Sequence, residues 1–102
     1  MRWLYHIAFA AEPLVFPLGP RAGEDFVHCS YRDAVVDSAR LYFPAGARLV
    51  VLRLDPRRLG APLVVATTPR GPMPHVHGAV PEAAVVEVLD VEAMGEAPDL
   101  IA

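Results

Sequence analysis

Lysine, asparagine and glutamine do not occur in this 102-residue chain, and all nine basic residues are arginine. Missing amides suit a hot environment and a GC-rich coding bias equally well, so they fix neither. A single cysteine, Cys29, excludes an internal disulfide and gives no sign of an oxidising compartment. A basic excess is also missing. Nine arginines against twelve acidic residues leave a net charge of −3, which argues against a general nucleic-acid binder. No apolar run approaches the ~18–20 residues of a membrane-spanning helix. Internal repeats, a glycine-rich phosphate loop and Ser-His-Asp spacing are absent too.

What is present describes one globular domain. Hydrophobic residues at 54% and charged residues at 21% offer far more buriable surface than a disordered chain has, and 102 residues suffice for a single core. The opening MRWLYHIAFAAEP mimics a signal peptide, with an arginine, an apolar run and Ala8-Phe9-Ala10 as a small-x-small site. The run is short and His6 interrupts it, whereas signal-peptide cores lack a polar ring. Leu4 to Ala8 therefore reads as a first strand, in a cytoplasmic protein.

Pro13, Pro17, Gly19, Pro20 and Gly23 break up the segment before Asp25, leaving loop with a short strand at Leu14–Phe16. Phe26 to Cys29 reads as a buried strand. Ser30 and Asp33 stand at capping-box spacing, so Ser30 is expected to cap a helix from Tyr31 to about Phe43. Val35, Ala39, Tyr42 and Phe43 form its apolar face, and Pro44 and Gly46 end it. Arg48 to Asp55 is apolar on both faces and should be a central strand. Leu63–Ala66 is a further strand, Thr67–Pro74 a proline-rich loop, His75–Gly78 a short strand, and Val85–Val91 a closing strand after a turn at Pro81-Glu82. Residues 1–92 form one domain, and 93–102 read as a loosely held tail. The class is α+β, with one main helix on small, mostly antiparallel sheets.

Several side chains could carry chemistry. His75-x-His77 puts two imidazoles on one strand face, where they could meet a zinc ion, but two ligands do not make a site. His28 in its apolar run is either a core histidine with a satisfied ring nitrogen or a pocket residue. Ser30 is a cap or, beside a helix N-terminus, part of an anion seat. Cys29 should point away from His28 and serve as packing, since nothing near it in sequence would lower its pKa. Arg53 is either a charge serving a site or a side chain reaching the sheet edge.

The ordered stretches LYHIA, DFVHCS, LVVLRLDPRRLGAPL and PHVHGAVPEAAVVEV resemble a small bacterial family catalogued as domain of unknown function 952, over about residues 3–91. Asp25 stands where that family usually has glycine, and His77 where it has tyrosine. The family in turn resembles the ADP-ribosyltransferase fold, two packed sheets around a nicotinamide-dinucleotide cleft. Phe26-Val27-His28-Cys29-Ser30 is similar to a stretch of NAD-dependent RNA 2′-phosphotransferase. The resemblance implies an NAD-type cofactor held by His6, His28, Ser30, Arg53, His77 and Gly78, with His6, His28 and His75 as catalytic candidates and Arg53 and Glu87 as nominees for the arginine and the carboxylate. The implied partner is a small-molecule nucleotide; the charge and composition above point to no general nucleic-acid binding and no membrane, and a resident metal is not expected. The implied activity is ADP-ribosyl or 2′-phosphate transfer. The alternatives are a non-catalytic nucleotide- or partner-binding module on the same fold and a metal site built on His75 and His77.

Overall fold

A computed structural model describes residues 1–102. Six strands and one α-helix follow in the order β1 (Leu4–Phe9), β2 (Val27–His28), α1 (Val35–Tyr42), β3 (Leu49–Leu54), β4 (Leu63–Thr68), β5 (Gly71–Val76) and β6 (Val85–Asp90). Short 3-10 turns at Arg32–Ala34, Pro56–Arg58, Glu82–Ala84 and Val91–Gly95 complete them. The strands make two antiparallel three-stranded sheets, β1-β3-β6 and β2-β5-β4. The expected α+β class with two small sheets and one main helix is observed, and β3 occupies the centre of its sheet as its two apolar faces require. No helix is long and apolar enough to cross a membrane.

Alternation along the strands builds two apolar clusters. Leu4, Leu52 and Leu54 of the first sheet meet Val27, Cys29 and Val76 of the second in one. On the opposite face of β1 and β3, Tyr5, Ile7 and Val51 pack against Val35 and Ala39 of α1. The two sheets touch at one main-chain point. The Tyr5 N–H donates to the Ser30 carbonyl at 2.9 Å, and the Ser30 N–H returns a bond to the Tyr5 carbonyl at 2.7 Å. Directly paired residues present side chains to the same face, so Ser30 and His28 look towards α1 while Cys29 and Val27 join Leu4.

Four expectations need correction. Ser30 is not a helix cap: a 3-10 turn intervenes, the α-helix starts only at Val35, and neither N-terminus has a side-chain cap. Its hydroxyl instead meets that of Ser38 on α1 at 3.2 Å. The stretch Thr67–Pro74 is not a loop, because β4 runs on to Thr68 and β5 already starts at Gly71. The Pro74 carbonyl accepts from Cys29 on the β2 side, so Pro74, and Pro72 two residues before it, turn their donor-less nitrogens away from β4. Pro72 lies beyond the end of β2, where no ladder bond is needed. Leu14–Phe16 forms no strand; the loop is pinned instead by a mutual main-chain pair between Leu18 and Val80.

The C-terminal residues are tied down rather than loose. Met94 and Ala97 are 3% and 7% exposed within the α1 cluster. The Tyr5 hydroxyl donates to the Pro98 carbonyl, the Trp3 N–H donates to the Asp99 carbonyl, and Asp99 takes an ion pair from Arg2 at 2.8 Å. A composition of alanine, glycine and proline hid these anchors.

Candidate functional site

Beyond the Tyr5–Ser30 pair an antiparallel ladder would continue with Ile7 opposite His28, but no such pairing exists. The strands diverge instead, and the His6 imidazole reaches across, with Nδ1 2.6 Å from the His28 carbonyl oxygen. The gap opens into a cleft of about 740 Å³ walled by β1, β2, α1, the β4–β5 hairpin and the loop before β2.

His6, His28, Ser30 and His75 all line this cleft. A carbonyl can only accept, so Nδ1 of His6 carries the proton and donates. Burial holds this imidazole below its ordinary pKa, against the pull of the His28 carbonyl, with the charges of Arg21 and His28 adding to the lowering. The neutral ring therefore leaves Nε2 as a bare acceptor. His28 and His75 are direct cross-strand partners with ring centroids 5.4 Å apart. Nε2 of His28 lies 3.0 Å from a Glu24 carboxylate oxygen. Partial burial, then the neighbouring His28 and His77, push His75 below its usual value.

Phe26 organises these imidazoles. Its ring stacks on His75 at 3.9 Å and meets His28 edge-on at 4.6 Å. His77 is tilted at 5.4 Å to the same ring and lies outside the cleft lining. The two histidines of His75-x-His77 thus flank an aromatic ring, and no three His, Cys, Asp or Glu side chains converge in metal-binding geometry.

Arg53 and Gly78 are not brought to the cleft. Arg53 projects with Tyr5 and Val51 towards the opposite face of the first sheet, pairs with Glu87 at 2.9 Å and covers the Trp3 ring at 4.6 Å. The two nominees, Arg53 and Glu87, therefore satisfy each other away from the histidines. Gly78 is fixed by packing: at φ +155° a Cβ there would lie 2.7 Å from that of Ala61. Cys29 is buried, and desolvation pushes its thiol up to about 12, so it is not a nucleophile.

Sequence reasoning missed more than half of the polar lining. Arg21, Glu24, Ser38, Tyr42 and Arg70 face the same space. Arg70, at the tip of the β4–β5 hairpin, donates to the Ser38 hydroxyl at 2.9 Å and to the Tyr42 hydroxyl at 3.4 Å. Neither Arg70 nor Arg21 has a carboxylate partner. The one available signal was Ser38, a polar residue three positions after Val35 within the buried stripe of the helix. The whole arrangement offers cationic and hydroxyl donors, a bare imidazole nitrogen and aromatic walls, which suits a small molecule carrying both negative charge and hydroxyl groups.

Residues 15–88 match the model of the family described as "Protein of unknown function (DUF952)". Two crystal structures of protein CC0527 from Caulobacter crescentus, one of them a double mutant, are similar to this chain at 21% and 20% identity. Each covers 86% of this chain and 84% of that chain, with a TM-score of 0.70. No curated protein matches.

Proposed function

The chain belongs to the DUF952 family of proteins of unknown function, and from that premise we propose that it binds a nucleotide of the NAD or ADP-ribose type in its histidine-lined cleft. The observation that carries this reading is the convergence of His6, His28, Ser30 and His75 on one space with two arginines that no carboxylate neutralises. Arg21 and Arg70 supply attraction for phosphate, which arginine binds through several donors at once. Nε2 of His6 supplies an acceptor for a ribose hydroxyl, and Phe26 and Phe9 supply apolar and stacking surface for a base. The resemblance to ADP-ribosyltransferases points to the same ligand class and to the same histidine on the first strand.

Thermal shift with NAD and ADP-ribose tests the reading. A ligand that binds only the folded chain at 100 times its Kd adds about 2.7 kcal/mol, and each kcal/mol is worth roughly 4–8 °C in a domain of this size. The expected result is a clear rise in Tm with either nucleotide that is lost in His6→Ala. No rise with either would overturn the proposal.

A second reading extends the first to catalysis, as ADP-ribosyl or 2′-phosphate transfer with loss of nicotinamide. It is favoured by the carboxylate–imidazole pair Glu24–His28 at the cleft. In such a reaction the chain would position the ligand and stabilise developing positive charge on the ribose, a role open to Glu24 or Glu12, the carboxylates of the lining. Nicotinamide release that falls in both His28→Ala and Glu24→Gln would support transfer. Binding with no release would leave a non-catalytic nucleotide-binding module.

A further inference from the structure

Ser30 and Ser38 are 4% and 3% exposed, yet both line the cleft. Their hydroxyl oxygens are 3.2 Å apart, and either can be the donor. Arg70 fixes what remains. A guanidinium only donates, so the Ser38 oxygen accepts from Nη2 of Arg70 at 2.9 Å. The two serines bring two hydroxyl protons, and one of them is used between the oxygens. Neither serine oxygen has another side-chain or main-chain partner, so the second proton has no acceptor in the protein. A buried hydroxyl without an acceptor is costly.

The neighbouring groups keep donors to spare. Tyr42 accepts from Nη1 of Arg70 at 3.4 Å and keeps its own O–H. Arg70 has five N–H groups and uses two of them. No carboxylate pairs with it. An arginine, a buried hydroxyl proton and a phenol thus converge on one end of the cleft with nothing there to receive them.

We infer that Arg70, Ser38, Ser30 and Tyr42 form a phosphate seat, so that the ligand of this cleft is a phosphate ester or diphosphate anchored at the hairpin end. The inference rests on the nucleotide reading and deepens it by assigning the charged part of the ligand to a place. Two phosphate oxygens would take the free N–H groups of Arg70 and the orphan serine proton, which are charge-assisted bonds. The rest of the ligand would then extend towards Nε2 of His6 and the Phe26 ring.

Calorimetric titration of the full chain with ADP-ribose, adenosine and inorganic phosphate decides the matter, using wild type, Ser38→Ala, Arg70→Met and Arg70→Lys. The partly exposed hairpin tolerates Arg70→Met without a change of core, so that variant remains informative if Ser38→Ala folds poorly. ADP-ribose should bind wild type, and Arg70→Met and Ser38→Ala should weaken it about tenfold or more, the usual loss for a hydrogen bond to a charged group. Arg70→Lys should recover part of the loss, while adenosine binding stays unchanged throughout. If ADP-ribose binds all variants within twofold of wild type, or if adenosine binds wild type as tightly as ADP-ribose, the phosphate seat is wrong and the cleft reading stands. If neither adenosine nor ADP-ribose binds at millimolar concentration, both fall.

Discussion

Nδ1 of His6 donates to the His28 carbonyl across 2.6 Å, so a side chain of one sheet replaces the ladder bond to the other that the diverging strands no longer make. That bond sets the imidazole's tautomer and aims Nε2 into the cleft. Burial of the same ring, which the bond only partly offsets, exposes the fold to pH. His6 and His75 both have folded-state values below the ordinary histidine range. The unfolded chain takes up protons first, near pH 6.5, and so gains on the native state as pH falls. Stability should be level above about pH 6.5, decline below it, and finish declining beneath the folded values. Arg21 and His28 face His6, and His28 and His77 face His75, so protonating one raises the cost for the next. Tm measured from pH 8 to pH 5 should slope less in His6→Leu than in wild type; equal slopes would assign the dependence elsewhere.

Cys29 should be silent to thiol reagents in the native state. Its thiolate would need a pH near 12, and the side chain is buried. Iodoacetamide at pH 8 is expected to leave the folded chain unmodified and to label it fully in urea, read by mass. Rapid native labelling would mean that the β2 region opens locally.

Tyr5→Phe removes only the hydroxyl that donates to the Pro98 carbonyl. The loss should be about 1 kcal/mol, seen as a fall of several degrees in Tm. It should come with faster amide exchange around Met94 and Ala97, the residues this bond helps to hold against α1. Unchanged exchange there would show that the remaining anchors, Arg2–Asp99 and the Trp3–Asp99 main-chain bond among them, secure the segment without it.

Gly78→Ala combines a backbone conformation unfavourable to side chains with a Cβ contact of 2.7 Å to Ala61. Overpacking of this kind costs about 1–3 kcal/mol. Urea denaturation should show that cost, while nucleotide affinity should not change, because Gly78 does not line the cleft.

Glu87→Gln should alter neither ligand binding nor any nicotinamide release. The residue pairs with Arg53 over Trp3, on the far face of the first sheet, and an exposed pair of this kind is worth about 0–1 kcal/mol. A loss of turnover in this variant would return Glu87 to the list of catalytic candidates.

What could be read from the sequence follows what is local. β1, β3, β6 and α1 were legible because Leu4, Val51, Leu52 and Val35 repeat at strand or helix period and are buried for that reason. β5 was hidden because Pro72 and Pro74 signal a loop unless one knows that their nitrogens turn away from β4. Ser30 was misread because its capping geometry with Asp33 is a local pattern, whereas its actual partner, Ser38, is chosen by packing. In the cleft, histidines inside apolar runs stood out and three of the four line it. Arg70 and Tyr42 did not stand out, because an arginine in a turn and a tyrosine on a helix gain meaning only when the hairpin folds against α1.

The order in which strands pair has a kinetic consequence. Only the β4–β5 hairpin joins neighbours in the chain; β1–β3, β2–β5 and β3–β6 each close a loop of dozens of residues. Loop-closure entropy must be overcome before those contacts reward it, and domains of this kind fold in milliseconds to seconds rather than microseconds. On the ribosome, His6 and His28 emerge well before β5, which carries His75 and anchors the hairpin of Arg70. A nascent chain therefore has no cleft until most of its length is made, and any ligand of that cleft can trap only the finished fold.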